Sequence, residues 1–197
     1  MMQHESISSE ARAHRRRLLE GMASAVAVKG YAAVTIADIV REAGVSRRTF
    51  YEQFASRPDC LIALYEAASE RALAVLRSAL DPGRSWQEQL EPVLAAYLAS
   101  LASNPALLRT LYIEIWGLGP PGLAARRRVN QAIAGFMLEV INQSPVAPAL
   151  RPEMALAVVG GVNELILQAI EQDRVAQLTD IAVTGAELVR AVLAGEP

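Results

Sequence analysis

The chain has 197 residues, 52% of them hydrophobic, with one cysteine, two histidines and a formal net charge of −2. That length can enclose one or two cores. Cys60 alone excludes an internal disulfide and a cysteine-rich zinc site, and with both histidines, His4 and His14, near the N-terminus there is no metal-ligand spacing, so no metal and no cofactor are expected.

The charge is uneven along the chain. Residues 1–57 carry nine Arg/Lys against six Asp/Glu, and residues 58–197 carry ten against fifteen. A basic front on an acidic body would orient the molecule at a phosphate backbone. Eighteen of the nineteen basic residues are Arg and Lys29 is the only lysine, which lowers the weight of any single Arg cluster. The N-terminal Met-Met-Gln-His-Glu-Ser lacks the apolar core of a signal peptide. The longest apolar run, Met154 to Val162, is too short to span a bilayer, so a cytoplasmic protein without a membrane partner is expected.

In chain order, residues 1–9 are polar and expected to be disordered. From Glu10 to Lys29, Leu18, Met22, Ala25 and Val26 recur at helical spacing. Arg12, Arg15, Arg16 and Arg17 overlap this helix; they are equally readable as a solvated basic end or as a reach toward nucleic acid. Thr35 can cap a following helix with Asp38 three residues on. Ile36, Ile39, Val40 and Ala43 then share one face. Eleven residues later the pattern repeats, with Ser46 as cap and Val45 and Phe50 as a hydrophobic staple. Gly44 between the two supplies the permissive backbone of a helix exit. Phe50 and Phe54 point inward, leaving Arg48, Thr49 and Glu52 outward, flanked by Arg47, Tyr51 and Gln53. Two short capped helices about a tight turn, the second with an Arg-Arg-Thr-x-Tyr outer face, predict a helix-turn-helix that enters the DNA major groove.

These residues resemble a known family. Gly30-Tyr31, Thr35-Ile36, Ile39, Ala43-Gly44-Val45-Ser46, Thr49-Phe50-Tyr51, Phe54, Ser56-Arg57 and Leu61 are similar to the N-terminal signature of the TetR family of one-component bacterial regulators. The match covers the first third of the chain. It departs at Gln53, where His is frequent, at Arg57, where Lys is usual, and at Phe50, where Leu is common. The resemblance implies an N-terminal three-helix DNA-binding domain over residues 1–57 and a helical effector-binding and dimerisation domain over 58–197. It implies that Thr35, Tyr51 and Arg57 hold phosphates and that Arg47, Arg48 and Thr49 meet base edges, with Ser46 and Gln53 completing the DNA-facing set. It implies a double-stranded operator as partner, with repression as the family's default.

Beyond the reader, Pro58 fits the first turn of a helix that runs to Ala79 and ends at Asp81-Pro82-Gly83. Starting beside the reader and ending in the body, it is the natural mechanical link between them. Ser85 to Ala102 is the next helix, with Pro92 expected to kink it or split off its first turns. A shorter helix follows Asn104-Pro105 to Trp116, then a Gly/Pro hinge from Gly117 to Gly122. Leu123 to Asn142 is helical, and Pro145, Pro148 and Pro152 bound a loop. Met154 to Ile170 is apolar nearly all round and needs cover on several sides. Asp180 to Leu193 closes the chain, and Gly160, Gly161 and Gly185 would allow close helix approach. One chain offers limited cover for both last helices, so a homodimer through them is expected. The fold class is all-α.

Body aromatics with a few polar groups suggest a small-molecule pocket. The candidate effector contacts are Tyr97, Tyr112, Trp116, Phe136, Asn163 and Glu164, for an unidentified small-molecule effector. Asn163 and Glu164, in an apolar helix, face a ligand, the partner subunit or another helix. Taken together the readings give a ligand-responsive transcriptional regulator, with a repressor released from a palindromic operator as the leading form. A transcriptional activator, or a dimeric helical interaction protein that does not bind DNA, is the alternative. A helical enzyme has little support, since Glu114 and Glu164 alone are weak evidence for acid–base chemistry.

Overall fold

The computed structural model describes residues 2–143 and 149–195, with side chains described from residue 9. Pro145 and Pro148, two of the expected loop boundaries, lie outside the described residues. So do the side chains of most of the stretch expected to be disordered, although the backbone there belongs to the first helix. The fold is all-α, as expected. Its helices are α1 (Met2–Lys29), α2 (Ile36–Ala43), α3 (Arg47–Gln53), α4 (Arg57–Ala79), α5 (Trp86–Ala102), α6 (Pro105–Gly117), α7 (Pro120–Asn142), α8 (Pro152–Glu171) and α9 (Ile181–Ala194). Two 3-10 turns, Tyr31–Ala33 and Val175–Asp180, join α1 to α2 and α8 to α9. Helix α7 starts within the expected Gly/Pro hinge, because prolines are well placed in a first helical turn. Helix α5 is continuous through the exposed Pro92.

The chain forms two compact units, one from Met1–Ala68 and Ala106–Ala125, the other from Ser69–Pro105 and Arg126–Pro197. The start of α4 and nearly all of α6 cluster with the reading helices.

In the first unit Leu18, Met22, Ile39, Phe50 and Leu61 are fully buried. Helix α1 lies so close to α2 that a Cβ at Gly21 would stand 2.7 Å from the Ile39 carbonyl oxygen and 2.9 Å from the Ala43 nitrogen. The α2 start is built as a capping box. Thr35 Oγ1 accepts from the Asp38 backbone N–H at 3.2 Å, and Asp38 Oδ2 accepts from the Thr35 N–H at 3.0 Å. Asp38 is buried and also meets Lys29 Nζ at 2.6 Å and Arg41 Nη2 at 3.1 Å. The Lys29 hydrogen bond, then those from Thr35, hold its carboxyl far below the usual carboxylate range. Cys60 is buried, and desolvation pushes its thiol up to about 12, so it packs as a small apolar group with no thiolate to offer.

In the second unit the core gathers Leu98, Ile141, Ile166, Ile170 and Leu178. Helix α5 packs on α9 and on the 3-10 turn before it, and α8 packs on α9. Gly185 admits Leu94, whose Cδ2 would lie 2.5 Å from an added Cβ, and Gly161 admits Leu188 at 3.1 Å, while Gly160 faces open space. The turn before α5 is held by Gln89, which accepts from the Asp81 N–H at 2.7 Å and donates to the Asp81 and Arg84 carbonyls at 3.2 Å. Helix α8 has 20 residues and is, by length and composition alone, apolar enough to cross a membrane, as the core helix of a folded domain can be. Val158, Val159, Ile166 and Ile170 on it are buried in the fold.

Gly21→Ala should lower unfolding free energy by about 1–3 kcal/mol, the cost of overpacking against backbone. Gly135→Ala, whose Cβ would meet nothing within 4 Å, should instead stabilise α7 by about 0.5–1 kcal/mol; chemical denaturation of both variants checks the contrast. Because Asp38 titrates lower folded than unfolded, its contribution is fully present above about pH 4 and disappears as pH falls toward its depressed folded value. The stability gap between wild type and Asp38→Asn should therefore narrow from pH 6 to pH 3, measured by thermal melts across that range.

Candidate nucleic-acid interface and body cavity

Helix α3 is set by its two neighbours. Gly44 takes φ +60° at the α2 exit, the left-handed conformation that an L side chain resists. Arg17 of α1 closes over that exit, donating from Nε to the Ala43 carbonyl at 2.9 Å and from Nη2 to the Gly44 carbonyl at 2.6 Å. Ser46 then caps α3, its Oγ accepting from the Thr49 N–H at 3.0 Å. Phe50 and Phe54 anchor the inner face, with ring centroids 5.8 Å apart. The outer face carries Arg47, Arg48, Tyr51 and Glu52, all exposed. Tyr51 is 59% exposed, a large ring left in solvent, with the Phe50 ring edge-on at 5.5 Å.

The residues expected at DNA all lie in the first unit, but in different states. Arg47 and Arg48 stand clear, and Arg48 Nε is paired with Glu52 at 2.9 Å one turn on. Thr35, Ser46 and Thr49 have hydroxyls committed to caps, Thr49 Oγ1 lying 2.9 Å from Ser46 Oγ. Gln53 is half-buried. Arg57 is drawn inward. Its Nη1 donates to the Tyr31 carbonyl at 3.1 Å and the Val34 carbonyl at 2.5 Å, and its guanidinium lies 4.3 Å from the Tyr31 ring centroid. Burial raises the Tyr31 phenol and the Arg57 charge opposes that rise. The basic stretch of α1 is also partly structural. Besides Arg17, Arg15 lies 4.7 Å from the Phe54 ring centroid and Arg16 pairs with Glu20 at 3.8 Å.

The second unit contains a cavity. Its wall comes from α5, α7, α8 and α9 and from the end of α4. Of the six candidate effector residues, Tyr97, Phe136 and Asn163 line it. Tyr112 and Trp116 belong to α6 in the other unit, and Glu164 is exposed. The Asn163 amide donates to Asn130 Oδ1 at 3.0 Å, a bond from α8 to α7. Phe136 carries the Arg77 guanidinium 5.7 Å from its ring centroid. The wall also includes Trp86, Gln89 and Met137, which the sequence did not single out as contacts. Their signal was helical spacing on α5 and α7, which marks an inward face without separating solid core from cavity lining. No lining residue is charged, and among the described residues no group of three or more His, Cys, Asp or Glu could hold a metal ion.

Comparison with known proteins places this geometry. Residues 18–64, from α1 into α4, match the profile of bacterial regulatory proteins of the TetR family. The fatty acid metabolism regulator protein of Bacillus subtilis is 20% identical over 181 residues, covering 88% of this chain and 92% of that protein. The crystal structure of FadR from Bacillus subtilis, in complex with stearoyl-CoA, aligns with a TM-score of 0.70 at 18% identity, covering 91% of this chain and 98% of that one. A TetR regulator from Rhodococcus sp. RHA1 aligns with a TM-score of 0.69 at 20% identity, over 95% of this chain and all of the other. That fold runs the length of the chain, and the family profile falls on the helices that build the reader. Residues 18–64 therefore form a DNA-binding helix-turn-helix domain of the TetR-family type, and the chain as a whole shares the all-α fold of these regulators.

Proposed function

We propose that the protein is a homodimeric repressor, working in the cytoplasm, that leaves a palindromic operator when an apolar small molecule occupies the body cavity. The observation that carries this reading is the cavity itself, walled by aliphatic and aromatic side chains with no charge among them. A folded protein of this size ordinarily fills such a space with its own side chains; an unfilled apolar hollow within a regulator is suited to an effector. The stearoyl-CoA in the Bacillus subtilis FadR structure supports a ligand with a long apolar chain.

Dimerisation through α8 and α9 is supported by what those helices leave uncovered. Leu156 on α8 and Val183 on α9 are 41% and 47% exposed, and Gly160, one turn past Leu156, faces open space. A second copy would bury this face. Two reading helices would then fall in successive major grooves about 34–36 Å apart. Repression requires only that the effector bind one arrangement of the dimer better than the operator-bound one. Helix α4, whose residues belong to both units, is the covalent route by which a change at the cavity reaches the reader.

The test begins with operator selection from random duplex DNA, followed by anisotropy titration. The expected operator is a two-fold site, and acyl-CoA esters from octanoyl to stearoyl should weaken binding at least about tenfold, a coupling of the usual allosteric size. An asymmetric half-site bound by a monomer would remove the dimer. Operator affinity indifferent to every chain length would remove the acyl effector.

Arg48→Ala should cost about 1–3 kcal/mol of discrimination at one base pair, read as a flattened preference at that position in competition assays. Equal weakening for all operator variants would place Arg48 on phosphate. Loss of all salt dependence in the wild-type binding curve would contradict an electrostatic docking face altogether.

A further inference from the structure

The cavity is selective in what it lacks. None of its lining residues is charged, so a carboxylate or ammonium enclosed there would be desolvated without a counter-ion. Its polar groups are nearly all committed within the protein. Gln89 is bonded at both ends to the Asp81–Arg84 turn, and Asn163 donates to Asn130. Trp86 is the exception. It is 8% exposed, lines the cavity, and its Nε1 is a buried donor without a hydrogen-bond partner. Among the described residues only one other buried side-chain polar atom is so placed, the Tyr31 hydroxyl in the other unit. Buried indole N–H groups ordinarily find an acceptor.

Resting on the reading of the cavity as the effector site, we infer that the part of the effector enclosed in the cavity is neutral and apolar and bears one carbonyl-type oxygen, and that the Trp86 Nε1–H donates to it. A ketone, ester or thioester oxygen accepts without bringing a donor or a charge of its own. A hydroxyl would bring a hydrogen that needs a further acceptor, and a carboxylate would bring an unpaired charge. Trp86 therefore acts as a specificity residue, separating carbonyl compounds from hydrocarbons of the same shape.

The test uses 2-undecanone and its isostere 2-methyl-1-undecene, in which C=CH2 replaces C=O. Affinities are read by displacement of the neutral fluorophore N-phenyl-1-naphthylamine from the full-length protein. Trp86→Phe should weaken the ketone about tenfold, the effect of one hydrogen bond, and leave the alkene nearly unchanged. In 15N-tryptophan-labelled wild type, the indole cross-peak that remains in Trp116→Phe should move downfield with the ketone and not with the alkene. This second readout holds even if Trp86→Phe does not fold. If both probes bind, Trp86→Phe weakens them alike and the indole peak responds to both in the same way, Trp86 only packs; the inference falls while the effector cavity stands. If neither probe displaces the fluorophore, the inference falls with the reading on which it rests.

Discussion

The carbonyl end of α2 is the point on which the reader depends. A helix leaves its last carbonyls without intrahelical donors, and a two-helix reader needs the chain to turn sharply at that place. Here the turn is made by Gly44 in a left-handed conformation, and Arg17 of α1 donates to the Ala43 and Gly44 carbonyls across it. A side chain at position 44 would oppose both, since its Cβ would stand 2.9 Å from the Arg17 guanidinium. One turn along α1, Gly21 lets the α2 backbone come within contact. Helix α3, with seven residues, is too short to be stable alone. Its direction is inherited from this junction, and so is the placement of Arg47 and Arg48.

The second unit solves a different problem. Its helices are apolar over wide faces, and glycines at chosen points let them approach, as Gly185 does for Leu94. Close approach at one level leaves room at another, and the cavity lies where Trp86, Val93, Phe136 and Val159 meet without filling the space. The one polar side chain that α8 turns inward is not left idle: Asn163 is tied to Asn130. Selectivity in such a site comes from shape and from the few donors left over, because an uncharged wall makes every enclosed charge costly.

What was legible in the sequence was local. The Thr35–Asp38 box, the Ser46 cap and the Gly44 exit each depend on residues within a few positions, so spacing alone located them; helical periodicity found the later helices to within a turn, whereas α1 begins at Met2, well before the periodic stretch from Glu10. The two 3-10 turns carry no period long enough to read. Tertiary choices were hidden. Arg17 and Arg57 look like any exposed arginine until their carbonyl partners, 23 to 27 residues away, are placed. Aromatic content suggested a pocket, but Tyr112 and Trp116 sit on a helix that clusters with the reader, while Trp86, at the first position of α5, reached the wall. Periodicity says which face of a helix turns inward and is silent on which unit it turns toward.

Arg57 shows how a conservative difference alters what a side chain can hold. A lysine at this position, usual in the family, is a point charge on a flexible stem. The guanidinium is planar, with donors fixed in a fork, so it can stack on a ring and bond carbonyls together. Arg57 does both, lying on Tyr31 and holding the Tyr31 and Val34 carbonyls at the 3-10 turn that leads into α2. A phosphate placed there would have to draw the arginine away from those contacts or share it with them. The guanidinium at position 57 is therefore coupled to the geometry of the α1–α2 connection, and through Thr35, one residue past Val34, to the start of the helix that carries the turn.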